Sequence, residues 1–392
     1  MPRRPIGCAS WWSTSVGERP SRPTSILVVS NHGAIVGGGE LSLLDLLRGL
    51  DRDRWAPVLV VPEDGEVGAR ARDLDLPVHV IPLPSLRRLG PGSFRSVKAL
   101  TRLARATDAG AIHANGSRAM AYAGVAGRLA ARPVLWHVRI ADRDRLMDRA
   151  LCAIATVVIA TSRAVARRFA WAPAKIRLVP NGIDLAQFAP RPPSAAFRAK
   201  LGVPPSAPVA VSIGRHVPEK GYRHLIAAAA LIERAKPGLH WVLVGNGELR
   251  SELEAQTRRL GLGSRVHFTG WRDDVADVLA LADVFVLPSE REGFGRVLVE
   301  AMSMSRAVVA TAVGGVPDIV LAGETGVLVA PADPAALAEA VHALLDDPAR
   351  TALLGVAGRA RAEATFSLGA HVDAVERVYD EMLGRVAPEA RR

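Results

Sequence analysis

The stretch F-V-L-P-S-E-R-E-G-F-G-R-V-L-V-E-A-M, Phe285 to Met302, decides how the rest of the chain is read. It opens inside an apolar run, Val284 to Leu287, that is short, branched and stopped by Pro288 and Ser289, the marks of a buried strand. A polar loop with Gly293 and Gly295 follows. From Arg296 the apolar residues fall at helical spacing, with Val297, Leu298 and Ala301 on the buried side. A second strand is expected over Ala307 to Thr311, ahead of Gly314-Gly315. Strand, glycine loop, helix and strand make half of a doubly wound unit, and such units bind ligands outside the carboxyl ends of their strands. Glu292 lies in the loop and Glu300 in the second helical turn. A carboxylate can accept two or more hydrogen bonds from hydroxyls. The free N–H groups near Phe294 and Gly295 can meet further oxygens or negative charge.

The same grammar extends upstream. Val209 to Ile213 reads as a strand, and the loop G-R-H-V-P-E-K-G, Gly214 to Gly221, leads into an Ala-rich helix. Arg215 offers planar forked donors and Lys220 a point charge, so the two can share one diphosphate; the plain alternative is two solvated bases beside a turn. The first half repeats the pattern with a strand over Ser25 to Ser30, a loop ending in Gly37-Gly38-Gly39-Glu40, and a helix over Leu41 to Leu50. Further strands are expected at Val58–Val61, Val78–Ile81, Ala111–His113, Pro133–His137 and Thr156–Ala160, the fourth of these ending on a histidine. Six prolines between Pro190 and Pro208 mark a linker. The resulting organisation is a tail over residues 1–24, a first domain over 25–188, a linker over 189–207, a second domain over 208–366, and a terminal helix and tail over 367–392.

Composition narrows the class. The 392 residues suffice for two domains with real cores. Two cysteines, Cys8 and Cys152, form no disulfide framework or metal cluster, and a reducing cytoplasm fits. No apolar run reaches the roughly 20 residues of a membrane span, and the first 24 residues lack the apolar core of a signal peptide. The net charge of +11 sits in the first half, where residues 1–190 hold 27 Lys+Arg against 15 Asp+Glu. Anionic partners follow: a phospholipid surface, a lipid-phosphate acceptor, or nucleic acid. The segment Leu86 to Thr107 carries Arg87, Arg88, Arg95, Lys98, Arg102 and Arg105, with Phe94, Val97, Leu100 and Leu103 at helical spacing. Such a helix either lies on an anionic membrane or packs its apolar face on the sheet.

The pattern P-S-x-x-E-G-F-G-x-x-x-x-E-A-M, present as Pro288 to Met302, resembles that of the retaining glycosyltransferases of family 4. The resemblance implies the GT-B fold, two Rossmann-like doubly wound α/β domains facing a central cleft. It also implies transfer of a sugar from a nucleoside-diphosphate sugar to an acceptor hydroxyl, with no metal cofactor. It places Glu292 by the donor sugar, Glu300 and the Phe294-Gly295 turn on the nucleotide, and both bases of G-R-x-x-x-E-K-G, Arg215 and Lys220, on the pyrophosphate. Gly38 and Gly39 would lie over the diphosphate and the acceptor, and His137 would face the donor sugar. The motif N-G-I-D, Asn181 to Asp184, resembles the family's signature ahead of the linker. The chain departs from the pattern after E-A-M, where Ser305 replaces a glycine and Ala307 a proline. The D-x-D triplets at Asp51, Asp73 and Asp142 lie outside this constellation and imply no metal.

Two other readings are set beside this one: an epimerase or hydrolase of the same shape, and a non-catalytic basic module. The acceptor would be a hydroxyl, on a lipid carrier if the basic half meets a membrane, with the protein cytoplasmic and then peripheral on the inner membrane face. Nucleic acid is disfavoured because the basic half lacks interleaved aromatics for base stacking.

Overall fold

The computed structural model describes residues 22–86, 90–141 and 144–386. Most of the expected N-terminal tail, Cys8, Arg87, Arg88, the Asp142-Arg143 pair and the final Arg-Arg lie outside the described residues.

Two parallel sheets carry the chain. The first holds β1 (Thr24–Ser30), β2 (Trp55–Val61), β3 (Val78–Val80), β4 (Ala111–Asn115), β5 (Val134–Val138), β6 (Val157–Ala160) and β7 (Ile176–Leu178), in the order β3-β2-β1-β4-β5-β6-β7. The second holds β8 (Val209–Ile213), β9 (His240–Val244), β10 (Val266–Gly270), β11 (Val284–Leu287), β12 (Ala307–Thr311) and β13 (Val327–Val329), in the order β10-β9-β8-β11-β12-β13. Their strands are apolar runs buried on both faces, as parallel sheets covered by helices require. In each sheet the strand order reverses once, between β1 and β4 and between β8 and β11. A crevice opens at such a reversal, outside the carboxyl ends, and here the two crevices face each other. The fold is GT-B.

Two segments join the domains, and they are bonded to each other. Ile183 N–H donates to Phe366 O at 3.0 Å and Leu368 N–H to Ile183 O at 2.8 Å. The helix Leu368–Met382 then returns to the first sheet, where Val372, Val375, Val378 and Tyr379 share a core with Ile26, Val28 and Leu43. Arg54 fixes it from outside through Glu376 at 2.7 Å and Asp380 at 2.5 Å.

The basic helix runs over Pro91–Ala106 and departs from the expected stripe. Leu100 and Ala104 are buried, but Phe94 is 78% exposed. Ser93, Ser96 and Thr101 take its place on the inner face. They tolerate burial because backbone oxygens satisfy their hydroxyls or a tyrosine shares them: Ser96 donates to Pro82 O at 2.5 Å, Thr101 to Val97 O at 2.8 Å, and Ser93 lies 3.2 Å from the Tyr122 hydroxyl.

Ser305, where the resemblance expects glycine, adopts φ 55°, the left-handed region that favours glycine. The glycine-type turn is therefore kept with a serine in it.

Candidate active site

A cavity of about 1060 Å³ lies between the two sheets. Three loops at the carboxyl ends of β1, β8 and β11 build its walls, joined by the start of the helix Gly38–Gly49 and the strand ends at Asn115 and Val138.

The second-domain wall is stitched from the two motif loops. Gly221 has φ 65°, and a side chain there would collide with the Pro288 carbonyl. Glu290 and Arg291 N–H groups donate to Glu219 O at 2.9 and 3.1 Å. The turn thus carries Lys220 to Glu292: Nζ lies 2.6 Å from Oε2, and Ser289 Oγ is 3.3 Å from the same oxygen. Gly314, with φ 53°, packs against the Glu292 backbone, and Gly315 N–H donates to Glu292 O at 3.1 Å. Arg215 stands nearer the mouth, half exposed and loosely paired with Glu219 at 3.4 Å. Phe294 and Gly295 line the cavity ahead of the helix Arg296–Ser303.

Glu300 comes from the second turn of that helix. Its Oε1 is 2.6 Å from Arg296 Nε, and Arg296 Nη1 reaches across to Asp45 of the first domain at 2.6 Å. The Arg296 side chain passes over Gly38, where a Cβ would be 3.5 Å from its Cδ. Gly39 abuts Arg139 in the same way, with a Cβ 3.3 Å from Arg139 Cδ. Gly38 therefore sits where Arg296 crosses from the second domain, and Gly39 where Arg139 of the first domain lies against the helix start.

His137 is not brought to this site. Its ring is fully buried and does not line the cavity. The strand runs one residue beyond it, to Val138, so the carboxyl end that faces the cleft is occupied by Arg139 instead. The buried ring belongs to a chain of hydrogen bonds beneath the floor. Tyr379 Oη is 2.7 Å from His113 Nδ1, and His113 Nε2 is 3.2 Å from His137 Nδ1. Arg139 Nη2 also points at His137 Nδ1, at 3.5 Å. An arginine only donates, so Nδ1 accepts. His113 then donates from Nε2 and accepts from the tyrosine hydroxyl. His371, 6.2 Å from His137 between ring centroids, donates from Nδ1 to Pro180 O at 2.7 Å. Burial, reinforced by the nearby Arg139 charge, lowers the proton affinity of all three histidines, to about 3 for His113 and for His371.

Arg139 is the residue that sequence reasoning missed. Its Nε donates to Asn115 Oδ1 at 2.7 Å and its Nη1 to Asn181 Oδ1. Burial pushes its guanidinium down to about 9, still charged at neutral pH. The N-G-I-D asparagine is thus a holder of this arginine. The available signal was H-x-R at a strand end, with asparagines at two neighbouring loop starts.

Fold and site together define a two-domain α/β protein with a cleft, lined by apolar surface and a few converging charges, between facing Rossmann-like halves. The sequence matches Glycosyltransferase Family 4 over residues 36–187 and Glycosyl transferases group 1 over residues 194–361. The chain belongs to the family 4 glycosyltransferases. It is similar to the crystal structure of Anabaena HepE in complex with UDP and glucose, at 27% identity and a TM-score of 0.79, covering 91% of this chain and 100% of that one. Sucrose-phosphate synthase from Thermosynechococcus elongatus gives 27% identity and a TM-score of 0.77, covering 93% and 100%. A D-inositol 3-phosphate glycosyltransferase of Kineococcus radiotolerans is 39% identical over 226 residues, 53% of this chain and 52% of its own length. The chain spans about half the length of curated relatives such as these that it matches.

Proposed function

We propose that this protein is a retaining glycosyltransferase that moves a sugar from a nucleoside-diphosphate donor to an acceptor hydroxyl without a bound metal ion. The observation that carries the reading is the Lys220–Glu292 pair at 2.6 Å, flanked by Arg215 and facing the Arg296–Glu300 pair on one cleft wall. A donor diphosphate entering beside Lys220 takes over its charge and frees Glu292 to accept from a donor-sugar hydroxyl. Glu300 accepts from the ribose. As the bond from sugar to diphosphate breaks, negative charge grows on the leaving phosphate, and Lys220 and Arg215 stabilise it. The acceptor hydroxyl attacks from the side the diphosphate leaves and gives its proton to that phosphate, so this route uses no pair of catalytic carboxylates of the kind glycosidases need.

The UDP and glucose held by HepE support a UDP-sugar donor, while the GDP-mannose-dependent mannosyltransferase of Corynebacterium glutamicum, a relative at 37% identity, supports a GDP-sugar. That relative is named for a phosphatidylinositol-linked acceptor, which supports a lipid-linked acceptor here. Among the described residues no helix is long and apolar enough to cross a membrane. We place the protein peripherally on the inner membrane face, through exposed Phe94 and its neighbours Arg95, Lys98 and Arg102. Flotation with liposomes should then depend on anionic lipid.

Thermal-shift titration with UDP, GDP and their sugars in EDTA tests the reading. A nucleotide at 100-fold its dissociation constant adds about 2.7 kcal/mol. A shift from one base, lost in Glu300→Ala, is expected. No shift from any nucleotide by a folded sample would overturn the proposal.

A further inference from the structure

One carboxylate in the cleft is left over from this account. Glu40 lines the cavity from the first domain, is only 6% exposed, and has no ion-pair or hydrogen-bond partner among the described residues. It stands in the first turn of the helix Gly38–Gly49, three positions after its N-cap Gly37. A glutamate at that position ordinarily reaches back to the N-cap N–H, and here no such bond is made. Neither carboxylate oxygen is among the buried side-chain atoms that lack a partner, so the charged end opens onto the cavity while the stem is covered.

Arg139 is its complement. Its guanidinium is held by two neutral asparagine oxygens and touches no carboxylate, and two of its five N–H groups are left over. The two side chains feel one another's charge, since Glu40 raises the proton affinity of Arg139 against its burial. They nevertheless form no salt bridge. Gly39 lets the helix start lie directly against the arginine stem. An acceptor-only group and a donor-only group therefore open into one cavity across a gap, on the wall opposite Lys220 and Glu292.

We infer that Glu40 and Arg139 form the acceptor subsite, and that it takes a neutral polyol ring through adjacent hydroxyls, one donating to the Glu40 carboxylate and its neighbour accepting from Arg139. The charge of Glu40 excludes a phosphate or carboxylate at this point, so any anionic group of the acceptor lies further from the reacting hydroxyl. The inference rests on the glycosyltransfer reading.

The test uses the full chain saturated with whichever of UDP and GDP binds it. Saturation-transfer NMR is recorded with methyl α-glucoside, myo-inositol and glycerol as probes, on the wild type, Glu40→Gln and Glu40→Ala. At least one polyol should bind the wild type and weaken about tenfold or more in both variants, the loss expected of a hydrogen bond to a charged group. Nucleotide affinity should stay within about twofold, because neither variant touches the opposite wall. Both variants should melt close to the wild type, since the Glu40 oxygens open onto the cavity and hold no partner that the fold would lose. Polyol binding unchanged in the variants, or no polyol bound by the nucleotide-loaded wild type, would overturn the inference and leave the glycosyltransfer reading standing. Loss of binding together with a lower melting temperature would assign Glu40 to the fold and overturn it equally. Failure of both nucleotides to bind would instead remove the reading on which it rests.

Discussion

Acidification should unfold this protein from its floor. His113, His137 and His371 are buried as neutral rings, and two of them have proton affinities lowered to about 3 against 6.5 for a free histidine. Above about pH 6.5 neither the folded nor the unfolded chain binds these protons, and the stability is complete. As the pH falls toward 3 the unfolded chain takes up protons that the folded one refuses, and stability is lost. Each such ring costs about 1.4 kcal/mol per pH unit in that window. At pH 5, His113 and His371 together cost about 4 kcal/mol, a large part of the 5–15 kcal/mol typical of a domain. Urea unfolding followed by the buried Trp55 and Trp136, from pH 7.5 to 5, reads this directly. His371→Gln should reduce the pH slope by about one proton. A midpoint that stays level from pH 7 to 5, or a slope unchanged in the variant, would refute the assignment of neutral buried rings.

Three further outcomes are expected. Lys220→Ala should lower kcat by about 10²–10³ while the protein stays folded, as removal of a preorganised cationic donor does; steady-state kinetics with the cognate donor would show it. Arg296→Met should lower stability by about 3 kcal/mol by leaving Asp45 and Glu300 without their shared cation, and denaturation curves should show part of it restored in Asp45→Asn/Arg296→Met. Ser305→Gly should stabilise by up to about 1 kcal/mol, because the left-handed strain at φ 55° outweighs the entropy that glycine adds to the unfolded chain; a lower melting temperature would contradict this.

What could be read from the sequence was local. The strand Val284–Leu287, the strand Ala307–Thr311 and the helix from Arg296 stand where the pattern predicts them, because each is set by periodicity and by glycine and proline within a few residues. Helical spacing put Phe94 on one face with Val97, Leu100 and Leu103 but did not say what that face meets, and it ranks residues by polarity, whereas Ser96 and Thr101 could be buried once backbone oxygens received their hydroxyls. His137 was misjudged by a single residue of strand length. The Arg296–Asp45 contact joins residues 251 apart, and nothing in either neighbourhood announces it. The partners of Arg139 likewise arrive from two separate loop starts, Asn115 and Asn181. Side chains that cross a cleft are selected by the distant wall, which one sequence window does not contain.

The returning helix Leu368–Met382 has a consequence for synthesis. A chain made from its N-terminus exposes the first sheet early, but the face built by Ile26, Val28 and Leu43 is completed by Val372, Val375, Val378 and Tyr379. That face stays open while the entire second domain is translated, at about 5–20 residues per second. The first domain therefore closes only after a helix that follows the second domain in the chain has emerged from the ribosome. Nascent-chain handling, rather than the stability of the finished fold, is where this arrangement is most exposed to failure.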